Sequence, residues 1–226
     1  MLEKRSATEY GMIAAGIILL GSIWGLLECT VGGMKWEVAG LYVSMGAVMA
    51  GLFGLAFMIL ARRLFDFPGA ALSVALVASL LRFIAPVGSC VICSAIAIGV
   101  EGLVFEMIVS RKVFMGNLRG SKDFRTLAFL GVISGFTVFT VGYITTQVLT
   151  PVFTGGTLVV MDVVDILPLI VGRAFYAAVL GGISVPVIAL YDNLHLDVSK
   201  WNKGAYFAGS TAISAVCWIL VIFILF

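Results

Sequence analysis

Charged side chains inside otherwise apolar stretches are the residues of this sequence whose chemistry stands out. Four of them lie within runs that could cross a membrane as helices: Glu28, Arg82, Glu101 and Arg173. A charge at the centre of such a helix costs at least about 2.5–3.5 kcal/mol, so it needs a partner, water or a function. We therefore predict that these residues form either a ligand-binding site or structural ion pairs.

The composition predicts that most of the chain lies in a membrane. Of its 226 residues, 62% are hydrophobic and 12% are charged, whereas soluble domains average about 45–50% apolar and about 25% charged residues. A bilayer-spanning helix needs about 20 apolar residues. Seven runs fit, at residues 10–31, 40–61, 69–85, 87–109, 127–149, 163–191 and 205–226. We predict an all-α polytopic membrane protein with about seven transmembrane helices in a single transmembrane domain, residues 1–226.

The charges of the loops predict the orientation. Eleven basic residues fall on one side of the predicted helices, whereas Lys35 is alone on the other. Basic loops stay in the cytoplasm, so we expect a multi-pass protein of the cell membrane with a cytoplasmic N-terminus. Glu28, Arg82 and Arg173 then lie in the outer half of the bundle.

The fourth apolar run carries a polar stripe. At about 100° per residue, one third of the helical wheel holds Cys90, Cys93, Ser94, Ala97 and Glu101. The cysteines could be small apolar residues, a redox pair, or a contact to a soft metal or haem. A single CxxC with one histidine in the chain falls short of a metal site, so no metal ligands are predicted and any cofactor stays unknown.

The remaining polar residues allow two interpretations each. Arg82 and Arg173 could neutralise the buried glutamates, making two acid–base pairs around one outward-facing pocket, or they could hold a ligand's carboxylate or phosphate. Trp36, in the first outer loop, is either an interfacial anchor or part of a short lid. Glu106 faces away from the stripe, and we expect it to reach toward Arg111 or water.

Two stretches resemble the substrate-binding S components of energy-coupling factor (ECF) importers: residues 45–57 (MGAVMAGLFGLAF) and 165–190 (DILPLIVGRAFYAAVLGGISVPVIAL). The small residues of the first helix are similar to the surface that such proteins offer to a coupling subunit: Gly11, Ala14, Ala15 and Gly16. The resemblance implies a six-helix core over residues 1–191, with residues 205–226 as an additional helix. It also implies pocket roles for Glu101 and Arg173, and a lid role for Trp36.

These observations predict a substrate-capture subunit of an importer that binds a small vitamin, cofactor or metal-related solute. Its partners would be that solute, membrane lipid, a transmembrane coupling subunit and ATPases, and not nucleic acid. The predicted ligand-binding residues are Glu28, Arg82, Glu101, Arg173, Cys90, Cys93 and Trp36. The chain has no Walker A, HExxH or GxSxG signature, so we do not expect an enzyme. The alternatives are a proton-coupled secondary carrier using Glu101 or Glu28, a membrane thiol redox enzyme using Cys90 and Cys93, and a purely structural subunit.

Overall fold

The computed structural model of this chain describes residues 6–32, 34, 36–38, 41–43, 45–65, 67–85, 90–110, 123–155, 166–190 and 202–225. Within these ranges it consists of helices and one short hairpin. The helices are α1 (Ala7–Thr30), α2 (Met45–Phe65), α3 (Ala70–Ile84), α4 (Val91–Val109), α5 (Phe124–Thr154), α6 (Leu167–Leu190) and α7 (Lys203–Leu225). Strands β1 (Trp36–Val38) and β2 (Leu41–Val43) pair antiparallel between α1 and α2. The middle of α2, Met49–Gly54, is a π-helix.

The helices have the length and surface of membrane spans. Six of those in the described ranges are long and apolar enough to cross a bilayer, and α3, with 15 residues, is shorter. Large apolar side chains project outward from several of these helices, Phe129, Phe175 and Phe223 among them. An exposed apolar surface of this extent is expected where a helix faces lipid rather than water. The prediction of a multi-pass helical membrane protein is confirmed.

Helices α1 and α3 to α6 pack side by side, and α2 lies against several of them. Helix α3 packs between α1 and α4, α4 against α5, and α5 extensively along α6, while α2 contacts α6, α3, α5 and α1. The α5–α6 crossing is close because glycines meet there: a Cβ on Gly131 would collide with the carbonyl of Gly181. Such small-residue contacts are how helices approach each other in a membrane.

Helix α7 lies on the outside of this group, along α1. The Tyr206 hydroxyl donates a hydrogen bond to the Met12 carbonyl at 3.2 Å, and Trp218 Nε1 donates to Ser22 Oγ at 3.0 Å. Phe207 packs over Gly11. Part of the small-residue surface of α1 is therefore covered by the chain's own last helix. The division into a six-helix core and an additional helix stays a prediction.

A buried ion pair joins three helices at the end of the bundle where α2 and α4 finish. Arg62 Nη1 lies 3.1 Å from Glu106 Oε1. Glu106 Oε2 accepts a hydrogen bond from the Ala71 backbone N–H at 3.2 Å, and Arg62 also donates to the Phe67 carbonyl. The prediction that Glu106 reaches to water is wrong, because Arg62 and the N-terminus of α3 satisfy its carboxylate inside the protein; Arg111 lies outside the described residues.

Candidate functional site

A cavity of about 180 Å³ lies at the other end of the bundle, where α1 and α3 finish and α4 begins. Helix α5 closes its far side. The polar residues that line it are Glu28, Arg82, Ser94, Glu101, Tyr143 and Thr146. Three of the four charged residues singled out in the sequence, on three different helices, thus meet at one cavity.

Glu101 is the most isolated of these groups. It comes from the middle of α4, its residue is 9% exposed, and its side chain lies directly against Gly142 of α5. Gly142 has no Cβ, and the carboxylate occupies the space that a Cβ would fill. Among the described residues no hydrogen-bond donor or cation contacts this carboxylate. Buried polar groups are nearly always hydrogen-bonded, so this carboxylate can accept hydrogen bonds from a molecule in the cavity.

The Glu28 carboxylate is oriented by a hydrogen bond from a residue of its own helix, α1. Trp24 Nε1, one turn earlier in α1, donates a hydrogen bond to Glu28 Oε1 at 3.2 Å. The Trp24 side chain is fully buried, so it fixes the orientation of the carboxylate. Glu28 Oε1 is thereby engaged, and no described donor is bonded to its other carboxylate oxygen.

Arg82 enters the cavity from the last turn of α3, where its positive charge also suits the helix dipole. Its Nε donates to Ser94 Oγ at 3.0 Å, and Ser94 Oγ in turn donates to the Val91 carbonyl at 2.9 Å. Arg82 is 8% exposed. The arginine therefore ties α3 to the first turn of α4 in addition to lining the cavity.

An aromatic wall on α5 completes the site. The rings of Phe139 and Tyr143 stack with centroids 5.6 Å apart and planes inclined by 27°. Arg173 of α6 contacts Tyr143 of this wall. Its Nη1 donates a hydrogen bond to the Tyr143 hydroxyl at 3.2 Å, and its guanidinium carbon lies 5.7 Å from the centroid of the Tyr143 ring. Arg173 thus contacts a lining residue but does not itself line the cavity. Sequence reasoning missed both aromatic residues, although their i, i+4 spacing around Gly142 places all three on one face.

The glutamates and arginines do not pair as expected. In the part of the chain that the structure describes, neither Glu28 nor Glu101 has an arginine or lysine within 4.0 Å. Glu28 takes its hydrogen bond from tryptophan instead, and Arg173 gives its own to tyrosine. The predicted acid–base pairs are therefore wrong for the described residues, and two carboxylates remain directed at the cavity.

The cysteines of the CxxC lie beside the cavity rather than on it. Cys90 and Cys93 are joined by a disulfide, with Cα atoms 5.3 Å apart, and Cys90 Sγ accepts a hydrogen bond from the Cys93 N–H at the start of α4. The next residue, Ser94, reaches the cavity. Cys29 is a buried free thiol whose Sγ lies 3.9 Å from the Leu81 carbonyl oxygen.

The lid predicted around Trp36 is placed only in part. Trp36 belongs to β1, and its side chain lies outside the described residues. Gly32 and Gly46, before and after the hairpin, both line the cavity. The chain therefore lines the site at Gly32, before β1, and again at Gly46, after β2, whereas the lid role of Trp36 stays a prediction.

A larger groove between α5 and α6, of about 350 Å³, is a weaker candidate. It is lined by apolar side chains and one threonine, Thr137, on the outward surface of the bundle. It offers no charged group to orient a polar ligand. The chemistry of the molecule is concentrated at the smaller cavity.

Comparison with known proteins gives no independent indication of function. No family model, no curated protein and no solved structure matches this chain.

Proposed function

We propose that the chain is a substrate-capture subunit of an importer, of the kind that its resemblance to ECF S components implies. The observation that carries the proposal is the cavity itself: Glu28, Arg82 and Glu101 face it from three helices, next to an aromatic wall. Concave sites with apolar walls and a few convergent polar groups are typical of small-molecule binding. Charges buried between membrane helices are expensive and commonly mark a transport pathway.

The mechanism would be capture in the cavity followed by release across the membrane, driven by a coupling subunit and ATPases. By the positive-inside rule, the cavity would lie in the outer half of the bilayer, facing the incoming solute. Because α7 covers Gly11 and packs along α1, a coupling subunit would contact α1 beside this helix, for example around the exposed Ala14. The location would be the cell membrane.

Native mass spectrometry of the full chain, purified in mild detergent, tests the capture of a solute. The expected result is a small molecule bound at a ratio of one per chain and lost from variants of the cavity. Uptake into vesicles distinguishes the energy source. Uptake that needs ATP and partner subunits supports the importer, whereas uptake driven by a proton gradient in the chain alone would establish the secondary carrier instead.

Replacing Arg173 by alanine is expected to abolish solute capture while leaving membrane insertion intact. The variant removes the hydrogen bond and the cation–π contact that hold Tyr143 at the cavity, and contacts of this kind contribute about 0.5–2 kcal/mol each. The measurement is the amount of co-purified solute per folded chain. Arg125→Ala, at the exposed start of α5, removes the same charge far from the cavity and should retain the solute. Normal capture by Arg173→Ala would remove Arg173 from the site.

The Cys90–Cys93 disulfide favours one alternative function, a membrane thiol redox enzyme. The two cysteines are close enough to cycle between a disulfide and a dithiol, and they lie at a helix N-terminus, a position that favours the thiolate. A Cys90→Ser/Cys93→Ser double variant decides the question. We expect it to capture the solute and keep full activity as the parent protein does, which would exclude the redox enzyme. Loss of activity in the double variant would support the enzyme.

A further inference from the structure

We infer that the cavity selects a small organic cation: an amidinium or ammonium group that donates hydrogen bonds to Glu101, carried on a flat apolar body that packs on Phe139 and Tyr143. This inference rests on the proposed function and names the class of its solute.

The charges of the cavity give the first argument. Two carboxylates face it, from Glu28 and Glu101, and Arg82 is the one arginine or lysine among its described lining residues. A buried carboxylate without a partner is costly as an anion. A cationic ligand would supply the opposite charge that both carboxylates need, whereas an anion would be repelled by them in a setting where electrostatic interactions are little screened.

The hydrogen-bonding inventory gives the second argument. Both oxygens of Glu101 and one oxygen of Glu28 lack a described donor. Thr146 Oγ1 donates to the Gly142 carbonyl at 3.1 Å, so it faces the cavity as an acceptor. On the donor side, Arg82 Nε is bonded to Ser94, and the Tyr143 hydroxyl, which accepts from Arg173, can itself donate. The carboxylate oxygens of Glu101 and Glu28 that lack a described donor fit a ligand that brings N–H groups.

Size and shape give the third argument and distinguish an organic cation from a metal ion. An apolar cavity of about 150 Å³ in another protein holds one benzene molecule, so a cavity of about 180 Å³ accommodates one substituted ring. The stacked rings of Phe139 and Tyr143 offer such a ring a flat surface. A planar amidinium can also engage a carboxylate through two parallel hydrogen bonds, as arginine does.

Three probes of nearly identical shape separate charge from size: benzamidine (cation), benzamide (neutral) and benzoate (anion). The experiment is calorimetric titration of the full chain in lipid nanodiscs. We expect benzamidine to bind at least about tenfold more tightly than benzoate, because its amidinium can donate charge-assisted hydrogen bonds to Glu101, whereas benzoate would face two carboxylates. Glu101→Gln should weaken benzamidine binding about tenfold or more and leave benzamide binding within about threefold.

The control is Glu9→Gln, which removes the same charge at the exposed N-terminal turn of α1 and should leave all three affinities unchanged. Benzoate binding as tightly as benzamidine, or magnesium or calcium chloride displacing benzamidine, would overturn the ligand class but leave the capture function standing. If no probe binds, the charge of the molecule that co-purifies with the chain decides: a cation supports the inference, and an anion or neutral molecule overturns it. If no molecule binds or co-purifies, the capture function itself fails.

Discussion

Glu106→Gln is expected to lower the free energy of unfolding by about 3–5 kcal/mol, because it removes the carboxylate that faces the buried Arg62 charge. The Arg62 side chain is 4% exposed and the Glu106 side chain 11%, and Arg62 Nη1 lies 3.1 Å from Glu106 Oε1. Glutamine keeps the shape of the glutamate side chain, and its amide oxygen can still accept the hydrogen bond from the Ala71 N–H. The loss of stability therefore reports mainly on the removed charge. The measurement is unfolding in mixed detergent micelles, followed by tryptophan fluorescence.

Arg62→Met combined with Glu106→Leu is the matched control for this prediction. Replacing both members of a buried pair by apolar side chains is often neutral or stabilising, but here the Ala71 N–H loses its acceptor, a cost of about 1–3 kcal/mol. We therefore expect the double variant to be more stable than Glu106→Gln. Equal destabilisation by Glu106→Gln and by the exposed Glu9→Gln would show that the pair contributes little.

The class of fold could be predicted from the sequence because hydrocarbon allows few alternatives. Backbone groups in a bilayer must be satisfied within a helix or a closed barrel, so seven long apolar runs predict seven helices. The predicted ends differ from the observed ones by several residues. Helix α5, for example, continues past residue 149 to Thr154 with Pro151 inside its last turn.

Part of the site could be predicted as well. The predicted topology placed Glu28 and Arg82 at the same end of the bundle. The polar stripe of α4, which begins at that end with Cys90, placed Glu101 on the same face further into the membrane. The partners could not be predicted. A tryptophan one turn from Glu28, a serine opposite Arg82 and a tyrosine 30 residues before Arg173 supply the hydrogen bonds. Such choices depend on the rotation and depth of each helix, which are set by packing rather than by hydrophobicity.

Gly142→Ala is expected to weaken benzamidine binding about tenfold or more, an effect as large as that of removing the Glu101 charge itself. A Cβ at Gly142 would lie less than 3.0 Å from Glu101 Oε1, Cγ and Cδ. The glutamate side chain must therefore turn away from its present position, and the carboxylate leaves the place where it faces the ligand. The measurement is the dissociation constant of benzamidine in nanodiscs.

The same substitution should change stability much less than it changes binding. Overpacking lowers the free energy of unfolding by about 1–3 kcal/mol. The higher helix propensity of alanine compared with glycine raises it by about 0.8–1 kcal/mol. Gly209→Ala in α7 is the control, since a Cβ there meets no atom within 4 Å; it should leave binding unchanged and stabilise the protein slightly. Retained binding in Gly142→Ala would mean that the position of the Glu101 carboxylate does not matter to the ligand. Lost binding with the control intact would place the ligand's contact at the junction of α4 and α5, where the added methyl group displaces the Glu101 side chain.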